Sequence, residues 1–290
     1  MAPHIFTQVF TILGTVTRVN ERANEEVALP SVYALLSSKQ GAQYSTVLQA
    51  ISRKSEEYGI GNCAPDLFMS DFELAILNAC REVFPLKAIS ACFFHFCQNL
   101  YRNIQSYGLQ AAYNNANDRT IKDFTHKLAA LAYVPIGDVE AYFDVLKTSA
   151  PAAMNEYIAY FDATYVTGIR RRGRRAAVAA RYPIQIWNQY DAAVEGQAKT
   201  NNVSEGWHNR FQLLIGKNHP DVYSFIREMQ KEQGDTEIAI VELSLGRKVK
   251  AAPKKKWLEF QARLQRIVLN FDSYAEPIAY LQAIADTIVI

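Results

Sequence analysis

The sequence predicts a mixed α/β fold: a sheet carrying helices on its faces, followed by a long helical stretch and a helical tail. Three observations carry this. A segment rich in Val, Ile, Thr and Phe and a second apolar segment flank a polar stretch near the amino end. Two alternating strand-helix units follow them. Beyond Leu109 such runs cease, and apolar residues recur at helical spacing.

Gln8 to Val16 and Val27 to Leu36 are the two segments, and Arg18 to Glu26 is the polar turn between them. Residues of these types fit a pleated surface, so an antiparallel hairpin is expected. Tyr44, Val47, Leu48 and Ile51 then recur at helical spacing. Leu67 to Met69 reads as a short buried strand. Phe72, Ala75, Ile76, Ala79 and Val83 form a helical stripe that stops at Pro85. Ala88 to Phe94 reads as another strand, followed by a helix to Gly108. This order suits several mixed folds.

Helices are expected over 121–132, 138–147 and 152–162. An arginine cluster and Tyr182-Pro183 then interrupt the chain. Thr200 to Ile215 and Asp221 to Gln233 are further helices, the second with Val222, Phe225, Ile226 and Met229 on one face. Trp257, Phe260, Leu264, Ile267 and Val268 mark a tail helix, and a last one follows Pro277. The expected organisation is a first core part at 1–108, a helical insertion at 109–199, a closing pair of core helices at 200–233, and a helical tail at 234–290.

The 290 residues are 49% apolar and rich in Tyr and Phe, which is a globular and not a disordered composition. The formal net charge is only +2, so nucleic-acid contacts would have to come from local clusters. Arg170, Arg171, Arg172, Arg174 and Arg175 form one, and Lys248, Lys250, Lys254, Lys255 and Lys256 another. Four cysteines (Cys63, Cys80, Cys92 and Cys97) in so long a chain read as reduced thiols. The apolar stretch from Ile5 to Val16 lacks a basic flank and a cleavage pattern, and it is shorter than the roughly 20 residues a bilayer needs. A soluble, intracellular protein with no membrane partner is expected.

Two acids carry the candidate chemistry. Asp71 follows the apolar run Leu67-Phe68-Met69, and Glu205 lies one turn into the Thr200 helix. Metal-dependent phosphoryl transfer needs carboxylates converging from separate elements, because hard oxygen ligands suit Mg2+ or Mn2+. The ordinary alternative is that both are first-turn acids. Ser70 and Glu73 have the spacing of a capping box, which would place Asp71 in a helix's first turn. Cys92, His95 and Cys97 lack the paired spacing of a four-ligand zinc site, so packing or hydrogen bonding is their expected role. Asn201 and His208 lie four before and three after Glu205, near one helix face, where they could orient the acid. Asn201 could equally cap its helix, and His95 could equally be a core or cap histidine.

Phe68-Met69-Ser70-Asp71-Phe72-Glu73 with Ala79-Cys80-Arg81-Glu82-Val83-Phe84-Pro85 resembles the second-aspartate region of Mutator-like-element transposases. Cys92-Phe93-Phe94-His95 resembles the Cys-x-x-His element on that family's next strand. Trp187-Asn188 and the run Thr200-Asn201-Asn202-Val203-Ser204-Glu205-Gly206-Trp207-His208 resemble its third-acid helix, which Phe211 and Asn218-His219-Pro220 extend. The pieces stand in the family's order from about Phe6 to Gln233.

The resemblance implies an RNase H-like core and DNA cleavage with strand transfer by a DDE-type site. It makes Asp71 the second acid and Glu205 the third, both metal ligands for Mg2+ or Mn2+, with Cys92, His95, Asn201 and His208 in support. The arginines Arg170 to Arg175 would contact DNA phosphates. Double-stranded DNA is the implied partner, the nucleus the implied location, and a homo-oligomer a compatible state. The first acid would stand in an Asp-Gly-Thr-Phe-like setting before the hairpin, and Met1 to Phe6 resembles the stretch just after that strand. Neither Asp66 nor Glu73 substitutes for it. The expectation is therefore weak or absent metal binding and an inactive chain or a fragment. The alternative is a non-catalytic DNA-binding or scaffold protein derived from a transposase.

Overall fold

The computed structural model of the chain describes residues 2–18, 25–60, 65–169, 177–196, 202–216, 219–249 and 254–288. In order, the first elements are β1 (Gln8–Arg18), β2 (Glu25–Leu36), α1 (Gly41–Glu57), β3 (Leu67–Ser70), α2 (Leu74–Val83), β4 (Ala88–Ala91) and α3 (Phe93–Ser106). There follow α4 (Gln110–Tyr113), α5 (Thr120–Ala130), α6 (Val139–Thr148), α7 (Asn155–Phe161), α8 (Ile184–Trp187) and α9 (Tyr190–Val194). The last are α10 (Asn202–Ile215), α11 (Val222–Ser244), α12 (Lys255–Leu269) and α13 (Pro277–Ala285). The chain is mixed α/β and mostly helical. Among the described residues its strands form two small sheets, β1 antiparallel to β2 and β3 parallel to β4.

The chain divides into two compact units, one of Met1–Asp66, Glu73–Lys87 and Asn202–Pro253, the other of Leu67–Phe72, Ala88–Asn201 and Lys254–Ile290. In the first, β1 and β2 form the expected hairpin, with Thr11 opposite Tyr33. The register slips by one residue between Ile12 and Leu13, leaving Ser31 as the bulge beside Pro30. Proline has no N–H for the ladder, and a bulge absorbs that defect. The Ser31 hydroxyl instead accepts from the Gly14 amide at 3.2 Å. A Cβ at Gly14 would stand 2.8 Å from that oxygen, so the position favours glycine.

The hairpin uses both faces. Val9, Leu13, Tyr33 and Leu35 pack on Trp207 and Phe211 of α10 and Phe225 of α11. From the other face Phe10 meets Tyr44 of α1 edge-on at 5.1 Å. Farther along, Val27 and Leu29 pack on Ala239 and Leu243 of α11. Helices α1 and α2 pair, and the Ser45 hydroxyl donates to Glu82 at 2.8 Å. The buried residues of α2 are Leu77, Ala79 and Cys80, a stripe rotated from the expected one, with Phe72 outside the helix. Helix α11 also runs past the expected end at Gln233 to Ser244, with Gly234 in its interior.

The second unit is built around aromatic rings. Phe96 of α3 is fully buried and stacks on Trp187 at 5.1 Å. Helices α5 and α6 pack against α13, and the buried Tyr280 hydroxyl of α13 donates to the Tyr133 carbonyl. The expected short buried strand is instead only partly buried: Leu67 is 38% exposed, because β3 has one neighbour in a two-stranded ladder. The next strand also ends earlier than expected, at Ala91, and residues 93 and 94 already belong to α3.

Candidate active site

Asp71 leaves the carboxyl end of β3, in parallel pairing with β4. The ladder extends one bond past β4, since the Cys92 amide donates to the Ser70 carbonyl at 2.8 Å. That bond keeps Ser70 extended and corrects the capping-box expectation. Helix α2 starts at Leu74 with Glu73 as its cap residue, and no side-chain capping bond forms there. The Ser70 hydroxyl donates to the Asp71 carbonyl instead, at 2.9 Å. Glu73 accepts the Tyr44 hydroxyl at 2.7 Å, a structural role in α1–α2 packing. Asp66 likewise has an ordinary partner, Lys87 at 3.5 Å. Asp71 is therefore a half-buried acid in the non-helical segment after a strand, not a first-turn helix acid.

Phe72 fixes that segment. Its ring meets Tyr182 edge-on at 4.9 Å, stacks toward Phe96 at 5.9 Å and meets Tyr165 at 6.2 Å. Its carbonyl accepts the Tyr182 hydroxyl at 2.8 Å. Burial pushes the Tyr182 phenol above its ordinary pKa; the Arg181 charge opposes this, and the Asp71 charge adds to it. The carboxyl end of β4 is equally tied down. The Gln189 side-chain amide donates to the Ser90 hydroxyl and to the Ala91 carbonyl, both at 3.2 Å.

Cys92 and His95 stand beside this end of the sheet, but not on a strand as the sequence suggested. Cys92 is the cap residue of α3, and His95 lies in the helix's first turn, half-buried with its ring 5.7 Å from that of Phe94. The helix begins early because the buried Phe93 and Phe96 must both turn into the aromatic core, which helical spacing permits and a strand's alternation does not. Burial raises the Cys97 thiol well above its ordinary pKa and the Cys80 thiol to about 11, so both remain protonated at neutral pH.

In the other unit Glu205 occupies the first turn of α10, and its side chain lies outside the described residues. Asn201 and the arginines Arg170, Arg171, Arg172, Arg174 and Arg175 also lie outside them. His208 is half-buried, its ring 5.0 Å from that of Trp207. Trp207 and Phe211 stack at 5.0 Å and face the hairpin, as a core role for Trp207 requires. The Trp207 indole N–H donates to Glu232 at 2.7 Å, and Arg210 pairs with the same carboxylate oxygen.

Residues 7–99 match the MULE transposase domain. The match is consistent with a MULE transposase, and it spans the hairpin, Asp71, Cys92 and His95. Neither a curated protein nor a solved structure matches the chain. The carboxyl end of the parallel β3–β4 pair thus lies inside the matched residues, and ligand sites of open α/β sheets gather at such ends.

Sequence reasoning missed three residues that the structure places against the Asp71 segment or against α10. Tyr182 bonds the carbonyl of Phe72, next to Asp71, and Arg181 lies over its ring, yet a lone cation next to a proline-broken segment gave no pattern to follow. Glu232 lies in the polar run Glu228 to Gln233, which resembles a solvent face. Its signal was periodic: Phe225, Met229, Glu232, Thr236, Ala239 and Leu243 recur at alternating steps of four and three, and all but Met229 are buried.

Proposed function

We infer that this chain is a transposase-derived, DNA-processing protein with an RNase H-like core, in which Asp71 and Glu205 are acids of a DDE-type phosphoryl-transfer site. The observation behind this reading is the placement of Asp71. It lies within the MULE-domain match, at the carboxyl end of a parallel strand and outside any helix. An ordinary first-turn acid would have lain inside α2.

The donor chemistry fits a hard divalent ion in part. Asp71 offers the carboxylate oxygen that Mg2+ or Mn2+ takes, whereas the Cys92 thiol suits softer metals. Among the described residues no three His, Cys, Asp or Glu side chains gather to hold a metal, and Glu205 is the second ligand that this reading assigns. When bound, such an ion supplies charge neutralisation at a DNA phosphodiester and a more acidic attacking hydroxyl. The chain's own contribution is positional: β3 and Phe72 hold Asp71, the first turn of α10 carries Glu205, and the Arg170 to Arg175 cluster neutralises duplex phosphates. Duplex DNA makes the nucleus the compartment of action.

The test pairs duplex binding with cleavage. The purified chain should bind duplex DNA with an affinity that falls about 100-fold or more between 50 and 200 mM salt, given some five arginine contacts. Failure to bind duplex DNA at any salt overturns the reading. Mg2+- or Mn2+-dependent cleavage that persists at full strength in both Asp71→Ala and Glu205→Ala removes the acid assignment. Binding without cleavage makes the protein a non-catalytic DNA-binding derivative.

A further inference from the structure

The arginine cluster is flanked in sequence by a paired base. Ile169 and Val178 form an antiparallel bridge, with amide-to-carbonyl bonds of 2.8 and 2.9 Å in the two directions. The base is sterically specified. Gly168 has φ +76°, and a Cβ there would fall 2.2 Å from the Val178 carbonyl oxygen. From this base the chain reaches Arg181 and then Tyr182, which is held from three sides. The Tyr182 amide donates to the Thr164 carbonyl at 2.9 Å, and the Trp187 indole N–H is shared between the Tyr165 and Tyr182 carbonyls at 2.9 and 3.2 Å. The Tyr182 hydroxyl donates to the carbonyl of Phe72, the residue after Asp71.

Arg181 lies over the Tyr182 ring, its guanidinium carbon 5.6 Å from the ring centroid, and it is exposed. The Tyr182 phenol senses the positive charge of Arg181 and the negative charge of Asp71 together. An exposed guanidinium thus lies over a ring whose hydroxyl bonds the backbone next to a strand-end carboxylate. A guanidinium offers a planar fork of donors that matches two phosphate oxygens, and packing on an aromatic face reduces the freedom it loses on binding.

We propose that Arg181 binds a backbone phosphate of duplex DNA beside Asp71, and that Tyr182 is the positioning residue that aims it. This rests on the transposase-derived reading above and assigns a contact outside the arginine run. The phosphate so held lies next to the acid, which limits where the phosphodiester path crosses the carboxyl end of β3. Arg181 is exposed, so its removal leaves the core intact.

The experiment is duplex binding of the full chain in EDTA, titrated over salt, with thermal midpoints recorded for every variant. For Arg181→Ala the slope of log K against log salt should fall by about one, and affinity at 0.1 M salt should drop roughly five- to tenfold. Arg181→Lys should keep the slope. Arg119→Ala, which removes an exposed cation paired with Asp123, serves as the control and should leave the slope unchanged. Asp71→Asn should tighten metal-free binding, and combining it with Arg181→Ala should give an effect that departs about threefold or more from the product of the singles. An unchanged slope in Arg181→Ala, with wild type binding normally, overturns the Arg181 contact alone. A changed slope with strictly multiplicative effects overturns its placement beside Asp71. Absence of wild-type duplex binding overturns the transposase-derived reading, and the Arg181 contact with it.

Discussion

The two candidate acids are held by opposite means. The Asp71 segment is fixed through its neighbours' backbone and through aromatic packing: Ser70 by the Cys92 amide, and Phe72 by Tyr182, Phe96 and Tyr165. The helix of Glu205 is fixed by a buried charge, the Glu232 carboxylate that receives the Trp207 indole and Arg210. Dispersion between rings is non-directional and insensitive to salt, so it tolerates small displacements. A buried carboxylate is unforgiving, because any partner removed leaves a desolvated group unpaired. A short strand end, with few ladder bonds of its own, needs many weak contacts around it. A helix of fourteen residues has its own backbone bonds and needs only its rotation set, which one carboxylate does.

The sharpest way to break this contrast is Phe96→Ala. Phe96 is fully buried and touches Phe72, Tyr165 and Trp187 at once, so the lost transfer and the cavity should cost about 3–5 kcal/mol in urea denaturation. Hydrogen exchange should also speed up at the Cys92 amide, the bond next to Asp71. A cost under about 1 kcal/mol would mean that the rings collapse into the gap and do not determine the strand end.

Next in size is Glu232→Ala, which should cost about 2–3 kcal/mol, because it orphans the buried indole N–H. Arg210 is half-exposed and adds little to that figure, since water replaces its partner. Glu232→Gln keeps an acceptor for the indole and should cost about 1 kcal/mol. Both are read by urea titration, with Trp207 emission reporting the loss of its partner. Equal stability of the Ala variant and wild type would show that the ring stack with Phe211, and not the carboxylate, sets the rotation of α10.

The same division explains what the sequence made legible. The hairpin was readable because the β-branched run from Gln8 to Val16 and the apolar run from Val27 to Leu36 are local properties. Its bulge at Ser31 was not read, although Pro30 hinted at a ladder defect. Asp71 was singled out through motif order, and of its two local readings, strand end and first-turn acid, the structure selects the first. The Ser70-x-x-Glu73 spacing promises a cap, and tertiary forces overrule it: the Cys92 amide takes the Ser70 carbonyl, and the ring cluster takes Phe72. Likewise Cys92 to Phe94 has the apolar character of a strand, and only the need to bury Phe93 and Phe96 together reveals a helix. Arg181 is beyond local reading altogether. It lies over Tyr182, whose hydroxyl meets a carbonyl 110 residues away. Glu232 was within reach, had the stripe begun at Phe225 been followed to Leu243.

The smallest predicted effect tests the Asp71 side most finely. Tyr182→Phe keeps the ring against Phe72 and deletes only the hydroxyl that donates to the Phe72 carbonyl. That should cost about 1 kcal/mol, the worth of one partly buried hydrogen bond. Because the ring survives, Phe72 should stay docked, and melting should remain a single transition in the same place on the denaturant axis to within a few tenths of a molar. The contrast with Glu232→Gln is then direct, since each change removes one polar function and retains shape. If aromatic packing determines the strand end, the hydroxyl is a minor contributor and Tyr182→Phe stays near 1 kcal/mol. A cost of about 3 kcal/mol or more would reverse the comparison: the Asp71 segment would then depend on one directional bond, as the Glu205 helix does, and the surrounding rings would only exclude water from it.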